Sequence, residues 1–466
     1  MKLSKRGYSF AKNFLIETIT IPLVEYLALK QAVIDLQAQL KVALEQIELL
    51  KNGRNSKTSS TPPSHDMGRS NQKNSRVPST RKTGGQPGHT GSTLEMVEQP
   101  DKIIEYRPEY CQSCGERADS QNAILISRKQ EIVIPPIVPQ YIEHQSYSCT
   151  CGKCGQETIS AMPSHLQANI QYGTGVSAFV AYFSVRQYVS YNRIAETMRD
   201  MFNIPMSEGT VYNMLKSLAQ KALPIYDQIK QRVAQSAVVG GDETGVKING
   251  KKGWLFTFQT TVLTFLAVSF SRGFDTIQSL FKNGFPMSVY VTDCLAAQLK
   301  TVAKAHQICM AHLLRELNNF TDALNCQWSE QMKQLIQKAI ELKAELTPDD
   351  YLHGNENVKL LETQMDTILQ TELDSKHKKT QAFIKRLRKN RNAIFTFLHH
   401  HKVPPDNNGS ERSIRTAKVK MKVSNQFKSL DGAQCFAILR SLIDTTIKNS
   451  QNVLLMLSSL AKLPAE

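Results

Sequence analysis

The chain has 466 residues, with 57 Lys and Arg against 41 Asp and Glu, a formal net charge of +16 and a sequence pI near 9.3. That length supports two or three domains with cores of their own, and that surplus of positive charge points to a polyanionic partner, because each Lys or Arg near a phosphate releases a condensed counterion. The most apolar stretch, residues 14–29, is broken by Glu17, Pro22 and Glu25 and is followed by no small-residue cleavage site, which excludes a signal peptide or membrane span there and leaves the reducing cytoplasm as the expected compartment.

Tyr26, Leu29, Val33, Leu36, Leu40, Ala43, Ile47 and Leu50 alternate spacings of three and four. This is a heptad seam, so residues 25–51 are expected to form a coiled-coil helix that brings protomers together, within an N-terminal region 1–51. The alternative is an amphipathic helix folded back on its own chain. Residues 52–100 read as a linker. Ser, Thr, Pro, Gly and Asn dominate, and between Lys51 and Gly91 the basic residues Arg54, Lys57, Arg69, Lys73, Arg76, Arg81 and Lys82 face only Asp66. Such a tether cannot bury a core but can lie along a phosphate backbone.

Residues 101–160 carry Cys111-Gln-Ser-Cys114-Gly and Cys151-Gly-Lys-Cys154-Gly. With thiols reduced, the nine cysteines are better read as metal ligands or buried apolar residues than as disulfides. Two Cys-x-x-Cys knuckles, each followed by Gly, suit a four-thiolate zinc site, because the short loop aims both sulfurs at one ion and Gly lets the chain turn beneath it. Four sulfurs would close the shell, so the zinc (Zn2+) is structural. Cys149 and His144 are spare donors.

Residues 161–235 read as helical. The run 191–202 has helical apolar spacing, residues 203–206 break it, and Ser207 looks like the N-cap of a second helix. Helix, short turn and capped helix fit a helix-turn-helix, with Thr210, Asn213 and Lys216 facing a groove or backbone. A plain helical hairpin is the other reading.

Residues 236–466 carry the chemistry. A buried strand reads up to Asp242-Glu243, a second at 254–260 follows the Asn249-Gly250-Lys251 turn, and a third spans 263–270. A short helix near 276–281 leads to a strand ending in Asp293, then a helix at 296–305 and a strand at 307–310. Three strands, helix, strand, helix, strand is the order of a ribonuclease-H-like fold, in which the first and fourth strands are neighbours. Asp242 and Asp293 would then meet at one sheet edge. Glu411, opening the helical run 411–420, can supply a third acid, and residues 404–462 are expected to form a loop and two amphipathic helices. Phosphodiester cleavage and transfer by a 3′ hydroxyl use two cations about 4 Å apart. Three carboxylates suit Mg2+ (or Mn2+), which prefers carboxylate and water oxygens. Arg412, Arg415 and Lys418 follow on the same helix and can hold phosphates.

Several stretches together carry a resemblance. They are SKTSSTPPSHD, GGQPGHTG, the two knuckles, GGDETGVKINGKKGW around Asp242, VTDC around Asp293, HQICMAHLLREL from His306 to Leu317, PPDNNGSERSIR around Glu411 and AILRSLIDTTIKN near the end. In these the chain resembles the insertion sequence 66 family of bacterial transposases. The resemblance implies an Asp-Asp-Glu triad at Asp242, Asp293 and Glu411, and a helical insertion at about 318–395. It also implies cut-and-join movement of a mobile element through its terminal inverted repeats, with helper proteins of the same element as further partners. With no second pair close by, Cys309 and His312 are read as packing or active-site support rather than zinc ligands, and His312 and Arg315 as assisting the triad rather than joining it. One departure is KVKMKVSNQFKS after Glu411, where the family commonly has Trp.

The fold class expected is therefore α+β multidomain: an N-terminal coiled-coil helix, a small zinc module, a helical DNA-binding region and a ribonuclease-H-like α/β catalytic core with a helical insertion. The function expected is that of a DNA transposase, nucleoid-associated in a bacterial cytoplasm. The main rival is a zinc-containing, sequence-specific DNA-binding regulator without catalysis. A second is a nuclease that hydrolyses but never joins.

Overall fold

The computed structural model describes residues 22–51, 88, 91, 93–119, 121, 123–163, 166, 168–373 and 378–464. The linker expected at 52–100 therefore lies mostly outside the described residues. The chain divides into two compact units, one of Met1–Arg69 with Arg315–Lys333, the other of Ser70–Leu314 with Gln334–Glu466.

In the first unit, helix α1 spans Leu23–Lys51, two residues longer at its start than the heptad seam predicts. The seam residues Tyr26, Leu29, Val33, Leu36 and Leu40 are exposed, as are Leu27, Ile34, Val42 and Leu44 away from it. Among the described residues, no helix is long and apolar enough to cross a membrane.

In the second unit, residues 93–163 contain little regular structure. Strands β1 (Ser148–Thr150) and β2 (Glu157–Ile159) pair antiparallel around the second knuckle. The apolar run before them forms no strand, and Ile124, Ile126, Ile132, Ile134 and Tyr141 are exposed. Across 33 residues, the Gln130 amide donates to Val97 O at 2.7 Å and accepts from Val97 N–H at 2.8 Å.

Helix α2 (Thr174–Ala181) runs into a π-helical turn at Tyr182–Arg186, followed by α3 (Tyr191–Phe202) and α4 (Glu208–Ala234). The sequence signals for α3 and α4 are met residue for residue. Asn203 ends α3 in a left-handed conformation at φ 51°, and the Ser207 hydroxyl accepts from Thr210 N–H at 3.0 Å. The boundary expected at 235–236 is crossed by a continuous core. Val211, Leu215, Ala222 and Val233 pack in the same apolar cluster as Leu255, Phe258, Phe265 and Leu439.

The sheet has five strands: β3 (Val238–Ile248), β4 (Lys251–Gln259), β5 (Thr264–Ser269), β6 (Phe285–Thr292) and β7 (Ala303–Ile308), in the order β5-β4-β3-β6-β7. Helices α5 (Phe274–Leu280) and α6 (Ala296–Leu299) fall where the predicted order puts them. β3 and β6, the first and fourth strands, are neighbours and parallel. Asn249 and Gly250 both take positive φ, 48° and 75°, as a tight hairpin turn between β3 and β4 requires. Two expectations need correction. β3 does not end at its acids, because the hairpin carries it to Ile248. The helix expected at 296–305 is a single turn, because residues 303–308 pair with β6 instead.

Helices α7 (Met310–Leu324), α8 (Gln327–Glu345), α9 (Pro348–His353), α10 (Glu356–Gln370), α11 (Lys378–Lys389) and α12 (Thr396–His399) follow, so the stretch expected as an insertion is helical. Three helices close the chain rather than the two expected: α13 (Asn408–Ser424), α14 (Leu430–Lys448) and α15 (Val453–Lys462). Gln451 and Asn452 interrupt the last run, and the Asn452 side chain caps α15.

Both sheet edges are covered. On β5, Thr264 N–H donates to Thr445 Oγ1 at 3.1 Å and Leu266 N–H to Ser441 Oγ at 2.9 Å, two hydroxyls one turn apart on α14. On β7, Gln307 donates to Ile394 O and accepts from Phe397 N–H, at 2.9 and 2.7 Å. An edge closed in this way cannot recruit another strand. The rigid frame that results presents the ends of β3 and β6 to α13.

Candidate active site

Asp242, Asp293 and Glu411 arrive from three directions. The parallel pairing of β3 with β6 stops at Gly240, so Asp242 lies two residues beyond the last pair. Asp293 directly follows β6, and Glu411 sits in the first turn of α13. The three carboxyls share one field. Burial raises the Asp242 carboxyl well above the usual carboxylate range, and the charges of Asp293, Glu243 and Glu411 add to the effect, opposed by the Glu243 N–H donating to Asp242.

His312 stands between two of the acids. Its Nδ1 is 3.2 Å from Asp293 Oδ1 and its Nε2 is 3.9 Å from Glu411 Oε1. All three side chains are about one-fifth exposed, at 20–22%. Among the described residues, the one set of three or more His, Cys, Asp or Glu whose ligand atoms all lie within 4.8 Å of one another is Asp293, Cys309 and His312. Cys309 is fully buried, its thiol pushed up to about 12 chiefly by burial, and its Sγ accepts from Asn407 N–H at 3.2 Å. Arg315 lies one helical turn beyond His312 on α7 and is half-buried.

A frame of small polar residues holds the acids, and sequence reasoning did not single it out. Asn407, 2% exposed, donates from Nδ2 to Gly241 O at 2.8 Å, next to Asp242, and accepts at Oδ1 from the buried Ser410 hydroxyl at 2.7 Å. With its own N–H on Cys309, Asn407 ties β3, the end of β7 and the start of α13 into one node. Cys309 N–H donates to Thr292 O at 2.8 Å and Met310 N–H to Pro405 O at 2.9 Å, which adds the end of β6. The node works only because the backbones approach closely. A Cβ on Gly240 would stand 2.8 Å from both Asn407 Oδ1 and Ser410 Oγ, one on Gly409 2.5 Å from Gln259 Nε2, and one on Gly241 would run into the Tyr290 ring. The signal was visible in the paired glycines before Asp242 and in the Asn and Ser before Glu411. Nothing in the sequence alone says that these two elements interlock.

Glu243, adjacent to Asp242 and also acidic, faces the other side of the strand. Its Oε1 accepts from Arg272 Nε at 2.8 Å and its Oε2 from Gln298 at 2.7 Å. Both oxygens are taken by protein donors, which leaves this buried acid a structural role.

The expected phosphate contacts divide. Arg412, Arg415 and Lys418 are exposed on α13, and Arg415 Nη2 lies 3.9 Å from Glu411 Oε2. On α4, Asn213 and Lys216 are exposed, with Lys216 4.0 Å from Asp431, an exposed pair of little energetic weight. Thr210 is instead drawn into the helix cap, its hydroxyl 3.0 Å from Ser207 Oγ.

The cysteine knuckles form one at a time. Gly115 N–H donates to Cys111 O at 2.9 Å, Gly155 N–H to Cys151 O at 2.8 Å, and both glycines have φ near +70°. Contact with Cys114 and its backbone lowers the Cys111 thiol, and Cys154 does the same to Cys151. The two pairs are not brought within one 4.8 Å shell, and Cys149 lies on β1, paired with Thr158.

Comparison with known families fits this architecture. The model of the Transposase IS66 family matches residues 169–435, more than half of the chain. The chain belongs to that family of transposases. A second model, of a family of unknown function (DUF6444), matches residues 13–95. No curated protein matches the chain. The IS66 match includes α2 to α4 as well as the sheet, as the shared core does.

Proposed function

We propose that the protein cleaves DNA at the terminal inverted repeats of its element and joins the freed 3′ ends to a target, using two divalent cations held by Asp242, Asp293 and Glu411. The observation that carries the reading is the convergence of three acids from β3, β6 and α13 on one electrostatically coupled cluster. The order β5-β4-β3-β6-β7 supports a ribonuclease-H-like core, with residues 318–395 as its helical insertion.

The donor set fits Mg2+ or Mn2+. Burial and acidic neighbours raise the Asp242 carboxyl, and a cation at such a site would relieve the repulsion. When bound, the ions supply an activated nucleophile and a stabilised leaving oxygen. The chain's own residues do the rest. Asn407 and Ser410 fix the start of α13 so that Glu411 meets Asp293. Arg412, Arg415 and Lys418 on the same helix hold substrate phosphates as point charges and forks. Zn2+ is proposed as the ion that draws the knuckles Cys111/Cys114 and Cys151/Cys154 together. The module it folds, the basic linker and the helical pair α3–α4 are proposed to grip the element ends. α1 pairs protomers, since two ends must be held at once.

The test is a mobility assay in cells. A marker flanked by the element's ends is supplied with the natural protein, Asp242→Asn or Glu411→Gln, with the element's neighbouring genes present. Transposition only with the natural protein supports the proposal. Equal transposition with either variant removes that acid from the reaction. None with any of them, with specific DNA binding retained, favours a zinc-containing regulator.

A further inference from the structure

We infer that the exposed face of α11 is the surface that holds the target duplex, gripping its phosphates without regard to sequence. The inference rests on the cut-and-join reading above and gives the target DNA a place on the chain.

The argument begins with charge. Between Asp374 and Asp406 the chain carries nine Lys or Arg and no acid. Helix α11 is the densest part of that stretch. Its lysines Lys378, Lys385 and Lys389 are exposed and, with the exposed Ala382, follow one another at spacings of three and four, so they form one stripe about 16 Å long. The opposite face, with Thr380, Phe383, Ile384 and Leu387, is buried. The stripe works against its own helix. Lys385 and Lys389 are like charges four apart, and Lys378 and Lys379 stand in the first turn, where the helix dipole disfavours cations. A polyanion laid along the stripe relieves both costs and releases its own counterions.

The helix is held firmly. Arg388 Nε donates to Leu369 O at 2.5 Å in the last turn of α10, and Arg391 grips both oxygens of Asp366 at 2.8 Å. Beyond the 3-10 turn Arg391–Ala393 the chain docks on β7. Gln307 bonds Ile394 O and Phe397 N–H, and the Thr396 hydroxyl donates to His306 O at 2.6 Å. Gln307 is paired with Val291 on the parallel strand β6, two residues before Asp293. The basic helix is thus tied to the end of the sheet that carries the acids. From Lys389 to Asp293 the path through these residues is on the order of 30 Å, and one turn of duplex is about 34 Å. A single duplex can meet both.

The chemistry of the face selects the kind of DNA. An element end must be told from other DNA by its bases, which takes forked or amide side chains at base edges. On α11 those groups are engaged elsewhere: Arg388 on Leu369 O, the Gln381 amide on Leu373 O at 2.6 Å, and the Arg386 guanidinium over the Phe383 ring at 4.8 Å. What the stripe offers is lysine, a point charge that binds phosphate and reads no sequence.

The experiment uses the full natural chain without divalent metal. Brief lysine acetylation, read by mass spectrometry, is compared with and without a duplex of random sequence. Lys378, Lys385 and Lys389 should be protected, while the exposed Lys338 on α8 and Lys359 on α10 should not. In parallel, the triple variant Lys378→Gln, Lys385→Gln, Lys389→Gln should bind the random duplex with a salt slope smaller by about 2.7. With metal and a pre-cut end, it should join that end to target at least about tenfold less at low target concentration, and excess target should restore the rate. The footprint needs no substitution, so a variant that fails to fold leaves the test intact. Equal acetylation with and without the random duplex, in protein that still cuts an element end, overturns this inference and leaves the cut-and-join reading standing. Protection by an element-end duplex but not by the random one gives the surface to the ends and overturns the target assignment. Natural protein with no metal-dependent cutting or joining overturns the cut-and-join reading and this inference with it.

Discussion

Around the three acids, the supporting atoms belong to a buried, hydrogen-bonded frame: Asn407, Ser410, Cys309 and Gly241 hold one another at 2.7–3.2 Å. Around the four knuckle cysteines there is no such frame, and no described residue from 93 to 163 is buried. The two regions are proposed to bind metals in opposite ways. The acid cluster stores its geometry in the fold and carries the electrostatic cost of like charges held together. The knuckles supply only two local turns, so gathering four thiolates falls to the ion, whose binding energy is then folding energy.

The largest effect should come from the acids. Asp293→Asn or Glu411→Gln should lower cleavage of a duplex bearing an element end by at least about a thousandfold, the loss of about 4 kcal/mol of transition-state stabilisation. Because the frame and not the acids holds the fold, both variants should melt cooperatively with the natural protein. Cleavage within about tenfold of the natural rate would break the proposed division between frame and chemistry.

The opposite dependence is expected at the knuckles. Stripping zinc should raise amide exchange throughout residues 101–160 and leave β3, β6 and α13 unchanged, since structural zinc sites supply their own folding energy. Protein expressed with zinc should hold about one ion per chain. Exchange that ignores the chelator would show that the segment is organised without metal.

A smaller effect tests the frame. Gly241→Ala drives a methyl group into the Tyr290 ring, and Tyr290 is fully buried. Overpacking of this kind costs about 1–3 kcal/mol. Cleavage should fall further than stability does, because the displaced strand carries Asp242. Chemical denaturation and cleavage rates on the same variant separate the two, and an unchanged rate would mean that Asp242 tolerates movement of β3.

The contrast also explains what could be read in the sequence. Strand order, the hairpin turn at Asn249-Gly250 and the Ser207 cap were legible, because alternation, turn chemistry and caps are local signals. The convergence of Asp242 with Asp293 followed from fold order. A supporting place for His312 beside the triad was expected, but its position between two particular acids was not, since a Cys-x-x-His spacing fixes no partner. The Asn407 node was hidden for the same reason: it joins residues far apart in the chain, and only close backbone approach at Gly240, Gly241 and Gly409 reveals it. The run of exposed Ile and Val from 124 to 138 has β-type composition and forms no strand, because such composition becomes a strand only when something pairs with it.

The smallest effect sharpens the cost of the acid cluster. Burial first, then Asp293, Glu243 and Glu411, raise the Asp242 carboxyl above its unfolded value. For a group shifted in that direction, the unfolded chain gives up its proton at lower pH than the folded one. Its contribution to stability is therefore present below the ordinary carboxylate value of about 4 and is lost as pH rises through the folded value. The metal-free protein should then be less stable at neutral pH than Asp242→Asn, which has no charge to bury. The variant should melt higher by about 2–4 °C for each kcal/mol recovered, and its lead should vanish near pH 4. Mn2+ should raise the melting temperature of the natural protein and do little for the variant. If Asp242→Asn melts lower at neutral pH in the absence of metal, the charge of Asp242 is stabilising, and the acid cluster is not the strained element that its surroundings indicate.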